Sequence, residues 1–323
     1  MKKRVLSGMR ATGRLHLGNY LGAAKGMLEL QDNPEYETLY MVADVHTVTT
    51  PYDVEELRRN RKEVFIDYLA AGLDPKKSII FLQSMVPAHI ELAFYFSAVS
   101  TIARMQHLPT YKDKVKQYPQ HNTMALLNYP LLMSSDILVY KAELVPVGID
   151  QEPHLEVARE IARKMNERFG MDFPEPKRFK TPGEYIPSLK GDGKMSKSVE
   201  GSYINIIDTE DVIKKKIRSI PTATQAGGEM SEGVKTLFNL ARLFMKNIGE
   251  FETKFKEGTL QFVELKDLLA EEIGKSLEPI REKRKELEKD DNYVQDVMKD
   301  GAERANVIAN QTVKEVREKM GLA

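Results

Sequence analysis

The sequence predicts an α/β fold, with a parallel-sheet domain over residues 1–207 and an all-α region over 208–323. Three features carry that expectation. Short β-branched or apolar runs alternate with amphipathic helical stretches through the first half. The first strand pattern runs into two glycine-bearing turns and then a helix start. Beyond Asp208 only helical periodicity is found.

Taken in order, strands are expected at 4–7, 38–42 and 78–82. The helix before the third opens at Asp53, with Glu56 three residues on as in a capping box, and closes near Gly72 ahead of Asp74-Pro75. Residues 88–140 read as helical, 144–147 as another strand, and 151–168 as a helix stopped at Gly170. Pro153 suits that helix because the first turn has no internal N–H bond to lose. Residues 170–202 hold many Gly, Pro, Lys and Ser and read as a mobile surface segment, with a final short strand at 203–207. Helices are expected at 210–218, 234–247, 260–288 and 292–320, and the mixed-charge stretch 283–291 reads as a solvated helix face.

A chain of 323 residues is long enough for about two cores. Its apolar fraction of 41% and charged fraction of 30% are those of a soluble globular protein, with no apolar run long enough for a bilayer. The basic Met1-Lys2-Lys3-Arg4 start passes directly into a strand pattern, without the apolar stretch of a signal peptide, so the expected location is cytoplasmic. With no cysteine, disulfides, thiol nucleophiles, thiolate zinc sites and iron–sulfur clusters are excluded. Basic and acidic residues number 48 each, and residues 208–323 carry 21 basic against 23 acidic, so bulk charge gives no nucleic-acid footprint. Neither a membrane nor DNA is an expected partner, and any RNA reading rests on motifs.

Two segments carry the chemistry. Ser7-Gly8-Met9-Arg10-Ala11-Thr12-Gly13-Arg14-Leu15-His16-Leu17-Gly18-Asn19-Tyr20 joins strand to helix through turns that let a phosphate approach the backbone. His16 and Asn19 can face one ligand there, with Gly18 leaving room between them. Far downstream, Lys194-Met195-Ser196-Lys197-Ser198 follows Gly191-Asp192-Gly193, and its two lysines can both reach phosphate oxygens. Taken singly, the first reads equally as a capped helix with a surface histidine and the second as a generic basic loop. The combination is specific. Together they resemble the HIGH and KMSKS signatures of the class I aminoacyl-tRNA synthetases, in a context similar to the bacterial tryptophan enzymes over nearly the whole chain.

That resemblance implies a Rossmann-like catalytic domain over 1–207 with a helical dimerisation region around 88–140. It also implies an anticodon-binding helical domain over 208–323, whose last helix packs back on the first. It implies ATP contacts at Arg10, Ala11, Thr12, His16, Gly18, Asn19 and Ile186, ribose contacts at Gly148, Ile149 and Asp150, and a triphosphate held by Lys194, Met195, Ser196, Lys197 and Ser198. Lys112, in Thr110-Tyr111-Lys112-Asp113-Lys114, matches a lysine that reaches the phosphates, with Lys114 as the neighbouring register. Arg10 and Ala11 stand where many relatives have Gln and Pro, and Asn19 replaces the second histidine of the generic signature.

At the amino-acid end, Tyr129, Met133 and Asp136 fall at i, i+4 and i+7 of one helix face. A carboxylate among apolar neighbours needs a donor, which suits Asp136 to an indole N–H, although a solvated Asp beside Ser134 and Ser135 fits the residues equally well. The resemblance makes Asp136 the residue that recognises the indole. It places Met133, Leu6, Val145 and Val147 around the ring, and Gln151, Tyr129 and His46 near the amino-acid group. The implied partners are L-tryptophan, ATP with substrate-borne Mg²⁺ and no metal site on the protein, tRNA(Trp), and a second copy of the chain. Three alternatives stand beside this reading. Tyrosyl enzymes share the fold, but their usual Tyr and Asp-Pro are replaced by Leu6 and Arg10-Ala11. Small adenylyltransferases lack the lysine loop and the helical domain. A non-catalytic synthetase paralogue would act only by binding.

Overall fold

The computed structural model describes residues 2–180, 186–191, 193–197, 199–222 and 227–323. In chain order the elements are β1 (Lys3–Arg10), α1 (Leu17–Asn19), α2 (Lys25–Asp32), β2 (Tyr36–Ala43), α3 (Val54–Ala70), β3 (Ile79–Leu82), α4 (Ala88–Ser97), α5 (Ile102–Gln106), α6 (Pro109–Gln117) and α7 (Met124–Leu138). They continue as β4 (Leu144–Pro146), α8 (Glu152–Phe169), β5 (Lys177–Phe179), α9 (Glu210–Arg218), α10 (Glu232–Phe244), α11 (Ile248–Lys256), α12 (Phe262–Lys289) and α13 (Asp291–Met320). Two compact units emerge from the packing: Met1–Gly13 with Lys25–Thr181 and Asp290–Ala323, and Arg14–Ala24 with Pro182–Lys289.

The first unit is built on a five-stranded parallel sheet in the order β3-β2-β1-β4-β5, a Rossmann-like arrangement that reverses direction of progress between β1 and β4. Side-chain alternation makes it two-faced. Leu6, Leu39, Met41, Ile79 and Phe81 share one core cluster with residues of α4, α7, α8 and α13. On the other face Tyr40 donates to the Met27 carbonyl of α2, and Tyr68 of α3 donates to the Met41 carbonyl. Register pairs such as Leu6↔Leu39 and Met41↔Phe81 keep like faces together.

Local signals explain several ends. Asp53 caps α3 by accepting from the Glu56 N–H at 2.8 Å, and α8 stops at Gly170, whose φ of 65° is left-handed. Helix α13 closes the edge of the sheet. Its Gly301 lies so near β3 that an added Cβ would fall 1.8 Å from the Ile80 carbonyl oxygen, and Arg304 and Asn306 donate to the carbonyls of Pro75 and Met85 on either side of that strand.

Two expectations are corrected. Residues 203–207 form no strand; only an isolated antiparallel bridge, His16↔Asn205, is present, because this stretch meets just the short backbone segment around His16. Within the stretch expected to be a mobile surface segment, 177–179 forms β5, paired parallel to β4. The second unit is helical, and α13 belongs to the sheet-bearing unit. We expect Gly301→Ala to destabilise the chain by about 1–3 kcal/mol or more through overpacking, despite alanine's better helix propensity. Chemical denaturation checks this, and an equal or higher midpoint would contradict it.

Candidate active site

In the sheet-bearing unit, polar residues gather just past the C-terminal ends of adjacent strands, where parallel sheets bind ligands. Gln83 follows β3, His46 follows β2, Arg10 ends β1 and Val147 follows β4. Helix α7 brings Asp136 to this group. Asp136 is 1% exposed, yet its carboxylate meets His46 Nε2 at 2.8 Å, His89 Nδ1 at 2.6 Å and Gln83 Nε2 at 2.7 Å. Burial alone would push this carboxyl up, but attraction to His46 and the hydrogen bonds from His46 and His89 outweigh it and hold the pKa at about 2. The side chain is therefore an ionised acceptor at neutral pH. Leu6 and Val145 lie in the adjoining core cluster, with Met133, Tyr129 and Val147 partly buried against it.

A second polar network starts seven residues earlier on α7, at Tyr129. The Tyr129 hydroxyl donates to Thr110 Oγ1 at 2.5 Å and lies 2.7 Å from His154 Nε2, while His154 Nδ1 lies 2.9 Å from Gln151 Oε1. Burial lowers the His154 pKa to about 4, with His46 adding to the effect, so the ring is neutral. Gln151 Nε2 donates in turn to Asp150. Gly148 precedes this turn, and Ile149 and Asp150 are exposed on it.

Arg10 is held by neutral oxygens, the Thr50 hydroxyl at 2.7 Å and the Thr47 carbonyl, and its buried Nε has no hydrogen-bond partner. Burial lowers its pKa, although Tyr118 and Tyr129 oppose the shift. Lys114 is the nearby lysine: burial lowers its pKa first and repulsion from Arg10 second. Lys112 lies exposed on the same short helix. Periodicity could not choose between the two lysines, and of the two Lys114 is the one that is partly buried. Directly after Arg10 in the chain, Ala11 is buried and Thr12 exposed.

The second unit contains the other group. His16 Nδ1 accepts from the Asn19 N–H, and Asn19 Oδ1 accepts from the His16 N–H, each at 3.3 Å, so the pair expected to face one ligand forms a reciprocal cap. Because Nδ1 accepts, the neutral ring carries its proton on Nε2. Burial first, then repulsion from Lys197 and Lys194, lowers the His16 pKa to about 3. The space beside Gly18 is taken by this ring and by Met195: an added Cβ would come within 2.9 Å of His16 Cε1 and 3.4 Å of Met195 Cβ. The lysine segment is pinned by backbone bonds from Met195 N–H to Ile186 O and from Ser188 N–H to Gly193 O, and by Ser202 Oγ donating to Ser196 O. Met195 and Ile186 are buried. Ser198 lies outside the described residues.

Residues 1–290 match the family described as tRNA synthetases class I (W and Y). The chain belongs to that family. It is similar to the tryptophan–tRNA ligase of Helicobacter pylori, 40% identical over 329 residues and 99% of each chain. It is also similar to that of Fusobacterium nucleatum, 39% identical over 326 residues, 99% of this chain and 98% of the relative. Among solved structures, the Campylobacter jejuni tryptophanyl-tRNA synthetase complexed with ADP and tryptophan superposes with a TM-score of 0.86 at 33% identity, covering 99% of this chain and 100% of that one. Among the described residues, no helix is long and apolar enough to cross a membrane.

Sequence reasoning had no handle on Gln83, His89, Tyr140, Thr110 or His154. Their only signal is that Gln83 and His89 lie just beyond a strand end, and that becomes informative once the sheet order is known. His16 and His154 both have pKa values below the free value of about 6.5, so the unfolded chain takes up protons that the folded chain refuses as pH falls from there toward 4. Stability should decline over that window. His16→Asn and His154→Gln should each flatten the decline by about 2 kcal/mol at pH 5, read from denaturation midpoints across pH; parallel curves for variants and parent would refute it.

Proposed function

We propose that this chain activates L-tryptophan with ATP to tryptophanyl-adenylate and pyrophosphate, and then transfers tryptophan to the 3′-terminal adenosine of tRNA(Trp), in the cytoplasm. The observation that carries the reading is Asp136, a buried anion with three donors, set beside an apolar surface that includes Leu6, Met133, Val145 and Val147. An ionised carboxylate offers about four lone-pair positions. Three are taken, and an indole supplies one N–H within an otherwise apolar bicycle.

The remaining groups suit the rest of the substrates. Gln151 Oε1 and the Tyr129 oxygen keep acceptor capacity for an ammonium group, as does the surrounding network of Thr110 and His154. Arg10 and Lys114 are two partly desolvated cations close together, suited to the reacting carboxylate and α-phosphate. Lys194 and Lys197, with Ser196 and Ser198, are assigned the triphosphate. His16, Gly18, Asn19, Ile186, Gly148, Ile149 and Asp150 are assigned the nucleoside. Mg²⁺ carried on the phosphate oxygens would neutralise phosphate charge.

In the first step a tryptophan carboxylate oxygen attacks the α-phosphorus, and the bond to the bridging oxygen breaks to release pyrophosphate. In the second, the 2′-hydroxyl of the terminal adenosine attacks the activated carbonyl and AMP leaves. The protein aligns the reactants and stabilises phosphate charge through preorganised donors. The helices after Asp208 are assigned to the anticodon. A homodimer through the 88–140 region is supported by exposed Ile90, Phe94, Ile102 and Met124 there.

Pyrophosphate exchange with tryptophan and with tyrosine tests the substrate, and exchange supported by tyrosine alone would end the reading. Lys197→Ala and Lys114→Ala should each slow adenylate formation at saturating tryptophan by roughly 10²–10³, as loss of a preorganised donor does. Lys112→Ala should change it less than about threefold, in line with substitutions at exposed positions; single-turnover rates in the opposite order would return the role to Lys112.

A further inference from the structure

We propose that His89, held in place by Tyr140, is a positioning residue that leaves Asp136 a single acceptor direction and thereby selects a ring bearing an N–H. This rests on the tryptophan reading above. His89 is 0% exposed and neither it nor Tyr140 has a role in the proposed reaction. Its Nδ1 lies 2.6 Å from Asp136 Oδ1, and because that carboxylate is ionised it can only accept, so Nδ1 must carry the proton. The other ring nitrogen lies 2.8 Å from the Tyr140 hydroxyl. Both ends of the imidazole are thus fixed, and Phe81 packs at 5.7–6.0 Å centroid distances against both rings. The backbone is tied as well, since Ser135 Oγ donates to the His89 carbonyl at 2.6 Å, joining α4 to the turn of α7 that carries Asp136.

The second donor to the same oxygen is equally well defined. Gln83 Oε1 accepts from the backbone N–H groups of Val45 and His46, which leaves its Nε2 to donate to Asp136 Oδ1. Oδ1 therefore has two donors and no further capacity. Oδ2 has one, from His46, so the lone pair left over points in one direction only. Without His89, Oδ1 would regain a lone pair and the carboxylate could rotate to share its acceptors. Affinity for an N–H would fall, whereas a ring with no donor would lose nothing.

The test compares tryptophan with β-(3-benzothienyl)alanine, in which sulfur replaces the indole N–H, as substrates for pyrophosphate exchange by the full-length chain. In His89→Leu, kcat/KM for tryptophan should fall about 10- to 100-fold, the range for a lost hydrogen bond to a charged group, chiefly through KM. The value for the sulfur analogue should change less than about threefold. His89→Asn, whose amide N–H can stand in for Nδ1–H, should recover most of the preference. Tyr140→Phe deletes only the hydroxyl, preserves the packing, and should lower the preference by a smaller factor, so it decides the matter if His89→Leu does not fold. Equal losses for both substrates, or an unchanged preference in Tyr140→Phe together with no recovery in His89→Asn, would overturn the inference. A parent protein inactive with tryptophan would instead overturn the functional reading.

Discussion

A carboxylate with almost no solvent exposure is tenable only if the protein replaces the water it loses, and the donors around Asp136 do so from three separate places in the fold. One comes from the turn after β2, one from the residue after β3, and one from α4. Helix α7 is therefore registered against the C-terminal edge of the sheet by charge-assisted bonds as well as by its apolar face. Removing any one donor leaves the others in place, but the direction in which the anion can still accept would change. Burial of the anion and the direction left open to it are linked here through the same four side chains.

The second unit handles charge differently. His16 is kept neutral by burial and by Lys194 and Lys197, and its lone pair is committed to the Asn19 N–H. A neutral imidazole beside two lysines adds no repulsion, and its proton on Nε2 remains a donor. Gly18 is required because the ring and Met195 fill the space in which a side chain would sit. The lysine segment is held by backbone bonds to Ile186 and Ser188 and by Ser202, so its register is set largely by main chain.

The parallel sheet, its first three strands and the caps at Asp53 and Gly170 were legible because they depend on local patterns: alternation, a short polar cap, a left-handed glycine. The fifth strand was not. Lys177–Phe179 is short and polar, and it is a strand only because β4 offers it an edge. The isolated pairing at Asn205 was over-read for the converse reason, since a β-branched run stays irregular without a partner of equal length.

The sequence by itself determined the chemistry available: two lysines after a glycine turn, a histidine and an asparagine at a helix start, and a lone carboxylate on an apolar helix face. Those depend on residue type and spacing along one element. Only the tertiary structure decided that Lys114 rather than Lys112 lies near Arg10, that Gly18 makes room for His16 itself, and that Asp136 is surrounded by Gln83, His46 and His89. Each of these depends on contacts between segments tens of residues apart. Periodicity within one element carries no information about which neighbour the folded chain will bring to it.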